Sequence, residues 1–404
     1  MRWMSVIIMG ECMSVAMSGK KGQRALALAV LVFSAAGELF AQKTSVGAAL
    51  QPYVSSNWLA GAVTVVVSQE GVVSQDAVGY ADVANKKAMT EDTLFWIASM
   101  TKPITAVAFM MLVDEGKVSL DDPVAKYLPQ MDHLWVAEAK KGDAAVTLKP
   151  QARPITLRHL LSHSSGLPFL TPLQKVDLSS LSVEDAILTF TMNPLEFQPG
   201  EGYRYSNEGI DTVGRVIEIA SGMPYEKFLQ TRIFDPLGMR DTTFFPTSRQ
   251  LKRLAKSYGP NEEKKGLKEI PIAYFKKPYD RPGRYPEPGG GLFSTGADLA
   301  RFCQMLLNGG TYRGKRYLSE AALAEVSKKQ ASMPDQKYGL GMAVDQDGHG
   351  AYGHGGAQGT NMTVYPQRKI ALIWLVQHCG FAGRGGEAQN AFKNAAFSLS
   401  PLFE

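Results

Sequence analysis

Ser99 and Lys102 stand three residues apart, so that on one turn of helix a hydroxyl and an amine would share a face. A serine hydroxyl is a poor nucleophile until a neighbouring group takes its proton, and an amine at that spacing is such a group. The chemistry open to the pair is acyl transfer through a covalent serine ester. The spacing alone carries little weight, because Ser18 and Lys21 repeat it with nothing around them to support a site. What sets Ser99 apart is the stretch that follows it. Ile104 to Val113 is apolar at every position except Thr105, and a helix apolar on all sides is a buried one. Pro103 fits the first turn of such a helix and Gly116 its exit. Ser99 is therefore predicted at the N-terminus of a central helix, where unpaired N–H groups and the positive dipole end favour a developing negative charge.

Two further clusters could join it: Tyr205-Ser206-Asn207, and His354-Gly355-Gly356 between strand-like segments near the C-terminus. Ser-x-x-Lys, then Tyr-x-Asn, then a Lys- or His-headed triplet with glycine is an order that resembles the serine β-lactamase and penicillin-binding-protein superfamily. The resemblance is strongest to the branch of class C β-lactamases, D-Ala-D-Ala carboxypeptidases and family VIII carboxylesterases. Three supporting phrases are similar as well: Leu160 to Pro168, Pro199 to Asn207, and Gly289 to Thr295. The likeness runs from about residue 50 to the C-terminus and is specific for fold and nucleophile rather than for substrate.

The resemblance implies an α+β fold of the β-lactamase/transpeptidase-like kind, an antiparallel sheet flanked by helices with an inserted helical lobe. On this sequence the α/β lobe would take residues 42–129 and 286–404 and the helical lobe residues 130–285. It implies Ser99 as nucleophile, Lys102 and Tyr205 as the proton-handling pair, and the backbone N–H groups of Ser99 and Ala357 as the oxyanion hole. It places Asn207, His354, Gly355 and Gly356 in substrate binding, with Asn207 at the position that contacts the acyl side chain. Which of the pair is the base stays open. A phenolate at pH 7 costs roughly 4 kcal/mol, part of which a cationic Lys102 would supply; a neutral Lys102 with Tyr205 as relay serves equally. The third motif departs from the β-lactamase form. His354 stands where lysine is usual, and Gly355 stands where a hydroxyl usually binds the substrate carboxylate. That departure favours neutral, short-chain esters. The same motifs would also serve a β-lactamase or D-amino-acid peptidase, a penicillin-binding receptor that is acylated without turnover, or a scaffold that has lost catalysis.

The rest of the chain fits an exported enzyme with a small-molecule ester or β-lactam substrate. Its 404 residues, 45% hydrophobic and 20% charged, suffice for a large core. The net charge of +5 is modest and no basic run is interleaved with aromatics, so nucleic-acid binding has no support. Lys20, Lys21 and Arg24 precede the apolar run Ala25 to Ala36, and Ala41 precedes Gln42: residues 1–41 read as a secretory signal peptide, with residues 1–16 as an extension before a more usual start at Met17. That run is shorter than the roughly 20 residues a membrane span needs, so no anchor is expected after cleavage. Cys303 and Cys379 read as buried free thiols. No cofactor is implied. His159 and His163 have zinc-like spacing without a partner motif, and Gly291 to Gly296 lacks the lysine of a phosphate loop.

Strands are predicted at 62–69 and 72–80, joined by a hairpin at Glu70-Gly71, and again at 338–344, 360–365 and 371–377. Helices are predicted at 156–161, 183–191, 207–220, 224–233, 296–307 (capped by Thr295) and 388–397. The proline-rich stretch 260–288 reads as a long loop, either a rim of the site or simply solvated.

Overall fold

The computed structural model describes residues 6–8, 11–13, 45–138, 147–169, 181–272, 274–275, 278–281, 284–330, 336–345 and 347–399. They fall into two units, residues 1–45 and 46–404. In the first, Val6–Ile8 pairs antiparallel with Glu11–Met13; residues 14–41 of the signal-peptide segment lie outside the described residues.

The second unit is built on a six-stranded antiparallel sheet. Its strands are β1 (Gly61–Ser68), β2 (Val72–Asp82), β3 (Lys87–Ala88), β4 (Tyr352–Gly355), β5 (Asn361–Tyr365) and β6 (Ile370–Leu375). Their spatial order is β4-β5-β6-β1-β2-β3. The two ends of the unit thus meet at the β6–β1 pair, Ile370 opposite Ser68 and Leu375 opposite Val63. Every residue of β1 is buried, as a strand covered on both faces must be. Alternation along it does the sorting: Val63, Val65 and Val67 enter the main core, while Ala62 and Val66 join Trp374 and Phe392 in a second one.

Helices α1 (Thr101–Asp114), α2 (Val183–Phe190), α3 (Asn207–Ser221), α4 (Gly296–Leu307) and α5 (Ala388–Phe397) complete the frame. α4 carries the expected Thr295 cap, its side chain accepting from the Asp298 N–H. α5 stacks Phe392 on Trp374 at 5.9 Å. α1 is buried from Thr101 through Leu112, and each of its large apolar side chains contributes roughly 1.5–3 kcal/mol by leaving water. The one polar residue of the apolar run, Thr105, is satisfied in place: its hydroxyl lies 2.7 Å from the Tyr225 hydroxyl and 2.8 Å from the Pro288 carbonyl. The antiparallel sheet flanked by helices is the α+β, β-lactamase/transpeptidase-like architecture expected from the resemblance.

Two local expectations are corrected. Residues 338–344 form no strand; only the isolated bridges Tyr338–Ala343 and Ala343–Gly353 remain. Gly341 takes a φ of +67° and turns the backbone against α1, and its N–H donates to the carbonyl of Leu161, on the short helix Leu157–Leu161, at 2.9 Å. Of the two thiols, Cys303 is buried but Cys379 is exposed, four residues beyond the end of β6 at Leu375.

Candidate active site

Ser99 sits on a single 3₁₀ turn, Ala98–Met100, that leads directly into α1. The turn is strained: Ala98 has a φ of +46°, a region costly for a residue with a Cβ. The surroundings hold it there. Ile97 N–H donates to the Leu292 carbonyl at 3.0 Å, and the Thr101 hydroxyl donates to the Ala98 carbonyl at 2.7 Å. Phe95–Trp96 pairs with Phe293–Ser294, and the Trp96 N–H donates to the Gln377 side chain at 3.0 Å.

In the first turn of α1, Lys102 is fully buried, and a buried amine must be paired. Its Nζ lies 2.6 Å from the Gly289 carbonyl, 2.7 Å from Asn207 Oδ1 and 3.3 Å from Ser99 Oγ. Carbonyl and amide oxygens can only accept, so two of the nitrogen's directions are donors. The third faces Ser99, where an ammonium would donate and a free amine would accept the serine proton. Nζ also stands 4.7 Å from the centroid of the Tyr205 ring.

Tyr205 and Asn207 flank the start of α3, whose cap, Ser206, accepts from the Gly209 N–H at 3.0 Å. Behind them runs the phrase Leu160 to Pro168. His163 Nδ1 accepts from the Ser206 N–H at 3.2 Å, its ring lies 4.5 Å from that of Tyr205, and the Ser206 hydroxyl donates to the Pro168 carbonyl at 2.7 Å. Burial holds the His163 imidazole well below the usual histidine range. His159, one turn away, accepts the Thr156 N–H with Nδ1 at 3.2 Å and so caps its own helix.

His354 closes the site from β4. Its Nδ1 is 2.6 Å from the Gly355 carbonyl and must donate, which leaves Nε2 as an acceptor. The Tyr338 hydroxyl is 3.0 Å from Nε2 and the Tyr205 hydroxyl 3.4 Å. Burial, reinforced by the nearby Lys102 charge, pushes the imidazole down to about 3. His354 is therefore neutral in the pH range of ordinary work. Ring-nitrogen NMR shifts of His354 should stay those of the Nδ1–H tautomer from about pH 7.5 to about pH 5; a titration midpoint near the unperturbed 6.5 would contradict this placement.

The glycines of this motif differ in kind. A Cβ on Gly356 would lie 2.1 Å from Thr360 Oγ1 and 2.5 Å from the Ile97 carbonyl, so only glycine lets β4 run against the segment leading to Ser99. A Cβ on Gly355 would meet nothing nearer than 3.6 Å. Gly356→Ala should therefore cost about 1–3 kcal/mol in urea unfolding, and Gly355→Ala under about 1 kcal/mol; equal costs would contradict the packing. Ala357, next along, is exposed, and among the described residues its N–H takes no protein acceptor.

Sequence reasoning missed several neighbours. Glu287 and Tyr274 come from the stretch 260–288, read as a long loop, and the Gly289 carbonyl from the glycine phrase directly after it. The Tyr274 hydroxyl donates to Glu287 Oε1, and Asn207 Nδ2 lies 3.4 Å from each of those two oxygens. Asp211 Oδ1 accepts the Gly289 N–H at 2.8 Å. Burial raises Asp211 well above the carboxylate range and raises Glu287 too, and the Glu287 charge raises Asp211 further. Tyr338 arrives on the segment misread as a strand. Only the proline content of 260–288 marked a loop there, and it left a rim of the site and a solvated loop equally open.

A family model described as "Beta-lactamase" matches residues 46–393. Protein Rv1367c of Mycobacterium tuberculosis is 30% identical over 364 residues, 82% of this chain and 89% of that one. Esterase EstB of Burkholderia gladioli is 31% identical over 268 residues, 60% of this chain and 64% of its own. Among solved structures, EstCE1, titled a hydrolase with promiscuous acyltransferase activity, superposes with a TM-score of 0.72 at 24% identity, covering 87% of this chain and 97% of its own.

Proposed function

The chain belongs to the β-lactamase family of serine hydrolases, and from that premise we propose that it is a carboxylesterase acting on neutral, short-chain esters through an acyl-enzyme on Ser99. One observation carries the choice of ester: the third motif offers a neutral, already occupied imidazole and a bare glycine. An anionic β-lactam or peptide carboxylate would meet neither the charge nor the hydroxyl that binding it calls for.

In this reading Ser99 Oγ attacks the ester carbonyl, and its proton passes to the Lys102–Tyr205 pair. The N–H groups of Ser99 and Ala357 receive the oxyanion. Collapse of the tetrahedral intermediate breaks the bond to the alcohol, which leaves with the proton held by the pair. Water then attacks the acyl-serine, loses its proton to the same pair, and releases the carboxylic acid as Ser99 is restored. Asn207 and Gly289 hold Lys102 in place, and the His354 ring, with Nε2 3.4 Å from the Tyr205 hydroxyl, bounds the position of the phenol. The similarity to the Burkholderia esterase supports the same choice. The proposal includes export, with a mature chain beginning near Gln42; N-terminal sequencing of exported protein tests that part, and an intact residue 17–41 segment would reject it.

The test is turnover of a short-chain p-nitrophenyl ester against a chromogenic cephalosporin under the same conditions. Ester turnover should exceed cephalosporin turnover by roughly 100-fold or more, given what an unmatched charged group costs. Gly355→Ser, for which there is room, should narrow that gap. Cephalosporin hydrolysis equal to or faster than ester hydrolysis would place the protein among the β-lactamases instead.

A further inference from the structure

We propose that Tyr274 sets acyl-group specificity, closing the Asn207 amide to substrate and selecting esters with hydrocarbon acyl chains over those that carry an acylamino group. This rests on the ester reading above and names its substrate class more closely.

Asn207 occupies the position expected to meet the acyl side chain, yet both ends of its amide are engaged inside the protein. Oδ1 accepts from Lys102 at 2.7 Å, and Nδ2 faces the Tyr274 hydroxyl and Glu287 Oε1 at 3.4 Å each. The residue is 5% exposed. Tyr274, beside it, is 42% exposed. It is held flat by stacking on Trp96, centroids 5.1 Å apart with 28° between the planes, and its hydroxyl is tied to Glu287. Trp96 is itself fixed, its indole N–H donating to the Gly290 carbonyl at 2.7 Å. On the Tyr205 side, Phe169 is 40% exposed and stacks on the Tyr205 ring at 6.0 Å.

The surface beside the Lys102–Asn207 pair is thus aromatic rather than amide. An acyl chain of hydrocarbon gains by covering such faces. An acylamino group laid there gives up its hydrogen bonds to water, and the Asn207 amide has none to return. That loss should favour the hydrocarbon chain by roughly ten- to a hundred-fold.

Methyl 4-phenylbutyrate and methyl hippurate have acyl chains of the same length and one leaving group, and differ by an amide in place of two methylenes. The wild-type protein should hydrolyse the first with a kcat/KM roughly ten- to a hundred-fold above the second. Tyr274→Ala should bring the ratio towards unity by uncovering Asn207, while Tyr274→Phe, which keeps the ring, should keep the preference. A general loss of activity in a variant cancels in the ratio, and the wild-type ratio is informative without any variant. A wild-type ratio near unity, or one unmoved in Tyr274→Ala, would overturn the proposal while leaving the ester reading standing. Turnover of neither ester would overturn the proposal, and the ester reading with it if a short-chain p-nitrophenyl ester is left uncleaved as well.

Discussion

Ser99→Ala is expected to lower kcat for ester hydrolysis by roughly 10⁴- to 10⁶-fold, the scale seen when a hydrolytic nucleophile is removed. The residual rate would come from oxyanion donors and binding, which the substitution leaves in place. Ser99 is half-buried and its Oγ has one hydrogen-bond partner among the described residues, Lys102 Nζ at 3.3 Å. Alanine keeps the turn, since Ala98 already takes the positive φ before it. The variant should therefore match the wild type in denaturant midpoint to within about 1 kcal/mol. A kcat within tenfold of wild type, in a folded variant, would exclude Ser99 as nucleophile.

Lys102→Met should follow closely, with kcat/KM down roughly 10²- to 10⁴-fold. The effect on stability should separate it from Ser99→Ala. Methionine keeps the length of the side chain but offers no donor, which strands the Gly289 carbonyl and Asn207 Oδ1 in a buried site. Each unmatched acceptor costs about 1–3 kcal/mol, and both losses should be visible in urea unfolding. Lys102→Arg should not rescue activity. A planar guanidinium cannot place three donors, or two donors and a lone pair, towards the Gly289 carbonyl, the Asn207 amide oxygen and the Ser99 hydroxyl. Activity retained in Lys102→Met would move the base to Tyr205 alone.

The parts of the site legible in the sequence share a property. Ser99, Lys102, Tyr205 and His354, which the structure gathers in one place, carry side chains of definite chemistry and lie on or next to elements with clear periodicity. The apolar run after Ser99 announced α1, and the β-branched runs announced β1 and β2. What stayed hidden acts otherwise. Gly289 contributes a backbone carbonyl, which any residue could supply, so no residue type marks it. Glu287 and Tyr274 sit in a proline-rich loop without a period, and nothing in 260–288 says which of its residues turn inward.

The segment 338–344 misled for a related reason: its alternation of large and small residues looks like a strand. Gly341 at a φ of +67° turns it instead against α1, where a Cβ would lie 2.8 Å from that of Ala106. That misreading concealed Tyr338, whose hydroxyl sits 3.0 Å from His354. His163 is a buried acceptor beneath Tyr205, with a φ of +59° that side chains rarely adopt, and neither feature shows in its spacing from His159.

A covalent acyl-enzyme is the centre of the proposed mechanism, and intact-protein mass spectrometry with peptide mapping tests for it directly. Quenching the protein in acid during turnover of a p-nitrophenyl ester should show a mass increase of one acyl group, carried by the peptide containing Ser99 and absent in Ser99→Ala. An acyl group mapped to another residue, or steady turnover with no adduct in either the wild type or a slowly deacylating variant such as Tyr205→Phe, would contradict the mechanism.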